Sequence, residues 1–285
     1  SGLCVDFFWE GYGRSYFPAS ADHRPSLACE GMWCHGSLVG DADRYDLHGN
    51  RLPKGLLLNG RIHETRVVLA GTRDLSSTHC FLEELVIGSN ALNSARTINL
   101  ELFRLLRSLV VGDNACGQCT RLLVSHNSEL ESIVVGDYSF SSFGNAIDLL
   151  LSESASITRQ DKTVSIRDVA KLREIRIGFG AFSDFRAFSI ADAPRLETLL
   201  FGRVRGPASP SRYSCCFFYC QELALRRLPR LREVEIGDFS FYHASSALFY
   251  RLPSLTSVSV GQACFFRSLG RQGRLQLVQL PSLTS

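Results

Sequence analysis

Two cysteines three positions apart, Cys116-Gly-Gln-Cys119, have the spacing of a redox pair or of half a zinc site. A second cluster lies near the N-terminus, where Cys29, Cys34 and His35 have His23 and His48 in reach. Its C-x4-C-H spacing lacks a second matched pair, so a structural or disulfide-linked cap is favoured over zinc. Export would allow Cys4 to pair with Cys29 or Cys34, and spacing does not choose between them. The pair Cys215-Cys216 borders an insertion and is undetermined. His63, His79, His126 and His243 are scattered without an assignable partner, and His243 reads as an exposed polar residue. His35–Gly40 (HGSLVG) is not a nucleophile elbow, and no phosphate-cradling glycine loop occurs. The expectation is therefore a non-enzyme without metal, cofactor or small-molecule substrate.

The elements that carry these residues are set by a phrase returning seven times: leucine, two free positions, an aliphatic, one free position, an aliphatic, glycine. It spans Leu82–Gly88, Leu106–Gly112, Leu130–Gly136, Leu172–Gly178, Leu196–Gly202, Leu231–Gly237 and Leu255–Gly261, with glycine spacings of 24, 24, 42, 24, 35 and 24 residues. Self-similarity at such a period marks a repeat architecture, in which each unit buries its apolar face on its neighbours. Alternating aliphatics read as a strand with one face inward. Glycine reads as the bend where the chain leaves it.

A large residue follows four positions later (Leu92, Cys116, Phe140, Phe182, Phe241, Phe265). A smaller or aromatic one comes three further on (Ala95, Cys119, Phe143, Phe185, Ala244, Ser268). That i, i+3 pairing predicts a short helical turn facing the core. Cys116 and Cys119 occupy these positions, so both read as small core hydrophobes. Cys220 aligns with Ala244, and Phe217 with Phe241. A second extended segment then ends in a corner carrying Pro229, Pro253 or Pro281, where no ladder donor is needed.

The long spacings place insertions near residues 146–162 and 203–213, read as surface loops. Residues 1–60 match poorly and read as an irregular capping segment or degenerate repeats. Within and just after them, Leu52–Gly60 is a candidate worn repeat and Arg66–Leu69 part of another. Residues 61–285 then form a solenoid of about seven to eight repeats. The chain starts without Met and ends on Leu280–Ser285, which duplicates Leu252–Ser257, so both ends read as cut from a longer chain.

The phrase, the I-G step, the S/A-F-x-x-C/A turn and the L-P corner together resemble leucine-rich repeat proteins of the BspA-like kind found in protists. Leu231–Ala244 and Leu172–Phe185 match best, and the likeness covers about residues 75–285. The resemblance implies an α/β leucine-rich repeat solenoid, a curved right-handed coil with parallel strands and short helical or irregular turns. It also implies protein binding or adhesion without catalysis. Cys116 and Leu92 depart from it, standing where Phe is usual.

On that fold the free positions of the phrase form a concave ribbon facing a partner. They are Glu83, Glu84 and Val86; Arg107, Ser108 and Val110; Glu131, Ser132 and Val134; Arg173, Glu174 and Arg176; Glu197, Thr198 and Leu200; Arg232, Glu233 and Glu235; and Thr256, Ser257 and Ser259. An apolar end with charges beyond it suits protein recognition. Alternatively, the Arg and Glu residues form ladder pairs across neighbouring strands. The second extended segment could equally be the concave strand, which would move the ribbon. A net charge of +3 is too small to argue for nucleic acid or an anionic membrane, and no stretch approaches about 18 apolar residues. The favoured function is an intracellular protein-interaction scaffold. A secreted or surface adhesin and the targeting arm of a larger enzyme are the alternatives. Against export, none of the asparagines begins an N-x-[ST] sequon.

Overall fold

The computed structural model describes residues 3–5, 8–16, 27–34, 37–45, 48–51, 55–58, 61–71, 75, 78, 80, 82–144, 162–202, 213–266 and 274–283. Apart from Lys162 and Tyr213, the two expected insertions lie outside the described residues, as do His23, His35, His79 and Ser268. The chain divides into two units, Ser1–Val67 and Val68–Ser285.

The first unit is an antiparallel meander. Its strands β1 (Leu3–Val5), β2 (Phe8–Tyr16), β3 (Leu27–Cys34), β4 (Ser37–Arg44), β5 (Gly55–Leu58) and β6 (Arg61–Glu64) pair in sequence order. Leu52–Gly60 is thus no worn repeat, since Gly55–Leu58 pairs antiparallel with Arg61–Glu64. Register shifts at Ser15/Tyr16 and Glu30/Met32 break the two-residue period that would announce the strands in sequence. Arg14 meets Glu30 at 2.8 Å, and Asp43 accepts from Arg51.

The second unit alternates between two open parallel sheets. From β7 (Arg66–Leu69), the first sheet adds β8 (Glu84–Ile87) and the second begins at β9 (Thr97–Asn99). Alternation continues through β10 (Ser108–Val111), β11 (Arg121–Ser125), β12 (Ser132–Val135), β13 (Thr163–Arg167), β14 (Glu174–Ile177) and β15 (Ala187–Ala191). It ends with β16 (Thr198–Phe201), β17 (Glu222–Arg226), β18 (Glu233–Ile236), β19 (Ser246–Tyr250), β20 (Ser257–Val260) and β21 (Arg274–Val278). Each phrase opens one coil, 24 residues long where nothing is inserted: a strand in the first sheet, a turn, a strand in the second, and a corner. Arg66–Leu69 is the edge strand of the first sheet.

Register holds across the sheet without slipping. Leu85, Leu109, Ile133, Ile175, Leu199, Val234 and Val258 lie side by side. All but the last are buried, and the opening leucines of all seven phrases are buried completely. Each such side chain contributes about 1.5–3 kcal/mol. Phe188 of the second sheet meets Phe201 of the first edge-to-face at 5.3 Å, so the two apolar faces share one core.

Between the sheets runs an aromatic column. Phe140, Phe182, Phe217, Phe241 and Phe265 stack at centroid separations of 4.5, 5.0, 5.2 and 5.8 Å, near-parallel throughout. The turn carrying them is irregular, not helical: no α-helix occurs among the described residues. Leu92, Cys116 and all five phenylalanines are left-handed, with φ of 52–59°. Such geometry costs a bulky residue about 1–2 kcal/mol. It persists because stacking adds about 0.5–1.5 kcal/mol per ring pair. Each turn also bonds the coil before it, as in Phe182 N–H to Ser139 C=O at 3.0 Å.

At Gly202 the phrase-ending glycine serves its own bend, with φ of 70°; at four other phrases it is required by a neighbour. Gly112, Gly136, Gly178 and Gly261 have no positive φ, but a Cβ there would fall 2.4–2.5 Å from the preceding coil. The obstacle at Gly136 is Asp113, whose carboxylate accepts the N–H of Asp137 at 2.8 Å. Asp137 does the same for Phe179, Asp238 for Gln262 and the Ser89 hydroxyl for Asp113, giving a column of side-chain-to-backbone bonds between coils.

Candidate binding surface

The first sheet points one side chain of every pair outward. In β8 the pattern exposed, buried, half-buried, buried puts Glu84 and Val86 outside and Leu85 and Ile87 inside. Parallel pairing extends this across seven strands as rows about 4.8 Å apart. One row is Glu84, Ser108, Ser132, Glu174, Thr198, Glu233 and Ser257; the next is Val86, Val110, Val134, Arg176, Leu200, Glu235 and Ser259. The ribbon positions that lie on the strands are therefore brought onto one face. Val86, Val110 and Val134 form a continuous half-buried apolar strip on β8, β10 and β12, and Arg176 separates Leu200 from it.

Just before each strand lies a third row: Glu83, Arg107, Glu131, Arg173, Glu197 and Arg232. Its order follows from bonds such as Arg107 N–H to Glu83 C=O at 2.7 Å and Arg232 N–H to Glu197 C=O at 2.9 Å. The charges alternate in sign along it. No ion pair within 4.0 Å joins members of this row among the described residues. On the ribbon Arg176 instead meets Glu174 of its own strand at 2.5 Å.

The second sheet offers a blander face. Its central outward row is Asn99, Leu123, Ser165, Ser189, Ala224, Leu248 and Gln276, with no charge. Charge on this sheet lies in its flanking rows, at Arg121, Arg167, Glu222 and Arg274, and is densest at the corner from the end of β17, where Arg226, Arg227, Arg230 and Arg232 crowd into seven residues. Sequence reasoning passed over that corner because its attention was on Leu-Pro periodicity; the arginine density was the signal.

The sharper chemistries do not assemble. Cys116 and Cys119 are fully buried, and Cys116 N–H bonds the neighbouring coil in the column position held elsewhere by Phe. Burial raises Cys116 and Cys216 well above the ordinary range and raises Cys119 as well. It pushes Cys215 and Cys220 up to about 12 and Cys264 to about 11. Cys29 and the Ser15 hydroxyl lie 2.9 Å apart. No group of three or more His, Cys, Asp or Glu fit for a metal ion occurs among the described residues. His243 is a correction: it is half-buried, packed against Phe218, Tyr219 and Tyr242 at 5.2, 4.8 and 5.1 Å, because its turn lies under an aromatic cluster.

One buried polar group escaped the sequence reading. Lys162, entirely buried, donates to Asp184 at 2.7 Å and lies 5.4 Å from the Phe185 ring. The Ser142 hydroxyl donates to the same Asp184 oxygen at 2.7 Å. Lys162 also donates to the Ser142 hydroxyl at 3.3 Å, so the three side chains tie adjacent turns together. Among the described residues no helix is long and apolar enough to cross a membrane. Comparison with protein-family models, with curated proteins and with solved structures returned no match.

Proposed function

We propose that the chain is a non-catalytic, leucine-rich-repeat-type scaffold of BspA-like character that binds a protein partner on the outward face of its first sheet. The observation that carries this reading is the register: free strand positions of seven phrases form unbroken rows, one of them apolar at Val86, Val110 and Val134 and then mixed, with Arg176, Leu200 and Glu235. Apolar anchors supply affinity in such a face, and charges supply orientation. A repeat lattice suits the role because its core is carried by the fixed positions, leaving the free ones to vary without cost to folding.

The test is a pull-down with the full chain against a variant carrying Arg173→Glu, Arg176→Glu and Arg232→Glu. These side chains are exposed, so the variant keeps its circular dichroism and melting temperature. Partners captured by the parent and lost by the folded variant support the ribbon; identical partners reject it.

A further inference from the structure

The corner that returns each coil from the second sheet to the first carries a charge pattern the ribbon does not explain. Over residues 167–172, 191–196, 226–231 and 250–255, outside the ribbon, there are seven basic side chains against two acidic ones. That local excess of five exceeds the +3 of the whole chain. Arg195, Arg226 and Arg230 are exposed and meet no carboxylate within ion-pair distance among the described residues.

A groove of about 590 Å³ runs along these corners. Ala170, Pro194, Pro229 and Pro253 give it an apolar floor, one residue per coil. Its wall is Asp168, Asp192, Arg227 and Arg251, each held in left-handed geometry with φ of 53–57°. Asp192 accepts two bonds from Arg227, both 2.6 Å, which neutralises the middle. Asp168 remains at one end, 4.0 Å from His126. Arg251 remains at the other, donating to Gln279 at 2.9 Å, and the exposed Arg226 and Arg230 are the sequence neighbours of the lining residues Arg227 and Pro229. The groove therefore changes sign along its length.

We propose that this groove binds an extended peptide segment of a protein partner, acidic where it lies over Arg226, Arg230 and Arg251 and basic where it reaches Asp168. The inference rests on the protein-binding reading and names the chemistry of one partner segment. Four coils span about 14 Å, room for four to five extended residues at about 3.3 Å each. Proline rings offer apolar surface without hydrogen-bond donors, so they pack against side-chain stems. A nucleic acid carries one sign of charge throughout and would meet Asp168 unfavourably.

Fluorescence anisotropy with the full chain tests it, using a labelled peptide of three glutamates, proline, alanine and two lysines. Saturable, salt-sensitive binding is expected, at least tenfold weaker for Arg226→Glu/Arg230→Glu/Arg251→Glu. An all-glutamate peptide of equal length is expected to bind more weakly to the parent and more tightly to Asp168→Lys. The ribbon variant Arg107→Glu/Arg176→Glu, which leaves every corner charge in place, should bind the probe within about twofold of the parent, which separates failure of the corner from failure of the ribbon. Unchanged affinity in the corner variant, stronger binding of the all-glutamate peptide by the parent, or stronger binding of duplex DNA than of the probe would each overturn the proposal.

Discussion

Replacing Phe182 tests whether the aromatic column is held in left-handed geometry against its own preference. The ring is 1% exposed, stacks on Phe140 at 4.5 Å and Phe217 at 5.0 Å, and meets Phe185 edge-on at 5.0 Å. Phe182→Ala should cost about 3–5 kcal/mol, as removal of a buried ring does. That alone would not separate backbone strain from burial, so the informative quantity is the further step from Ala to Gly. Phe185 is equally buried without a positive φ. There the step should cost about 1.5 kcal/mol, from greater chain entropy and one lost carbon. At Phe182, with φ of 55°, release from the left-handed region returns about 1–2 kcal/mol, bringing the step near zero. Denaturant unfolding followed by far-ultraviolet circular dichroism measures all four variants, with slopes compared to confirm one transition. Equal Ala-to-Gly steps at the two sites would refute the argument.

Four further outcomes follow from described contacts. Gly136→Ala, whose Cβ would fall 2.4 Å from Asp113 Oδ1 and 2.7 Å from the Gly112 backbone, should lower stability by about 1–3 kcal/mol, while Gly144→Ala, with open space around it, should leave the melting temperature unchanged. Lys162→Met should cost about 3–5 kcal/mol by stranding the buried Asp184 carboxylate, and Lys162→Met/Asp184→Leu should recover part of that in a thermal melt. Arg227 holds the Asp192 carboxyl below its ordinary value of 3.8, so this pair stabilises above that pH and the contribution is lost as pH falls below it; Arg227→Leu should flatten that acid limb in a pH series of unfolding midpoints. Among the described thiols, Cys80 is exposed and should react first with a disulfide reagent on the native chain, while Cys116, Cys119, Cys215, Cys216 and Cys220 wait for unfolding; early modification of those five would contradict their burial.

Much of the second unit was legible because its strands obey one rule. Leu85 and Ile87 inside with Glu84 and Val86 outside is the period-two pattern, and its sevenfold return fixed the first sheet and the ribbon together. The turn was legible in burial but not in conformation. Phe182 and Phe185 at i, i+3 suggested a helix, whereas left-handed phenylalanine runs against propensity and is sustained only by the neighbouring coils, which a single phrase does not show. At Gly202, with φ of 70°, the glycine serves the bend assigned to it, but at Gly136 it stands for another reason: the obstacle belongs to Asp113, 23 residues earlier. The antiparallel strands of the first unit stayed hidden because two register shifts and abundant glycine blur their alternation. The buried Lys162 could not be anticipated, since its partner Asp184 is set by the stacking of adjacent coils.

The row Glu83, Arg107, Glu131, Arg173, Glu197, Arg232 gives the stack a parity. The leucine and phenylalanine columns repeat after one coil, so removing a 24-residue coil from within them would leave leucine on leucine and ring on ring. In this row, the same deletion would set two like charges about 4.8 Å apart, whereas removing two coils restores the alternation. The backbone counts in ones and the surface in twos. Growth or loss of the array is neutral for folding in single coils but neutral for this face only in pairs.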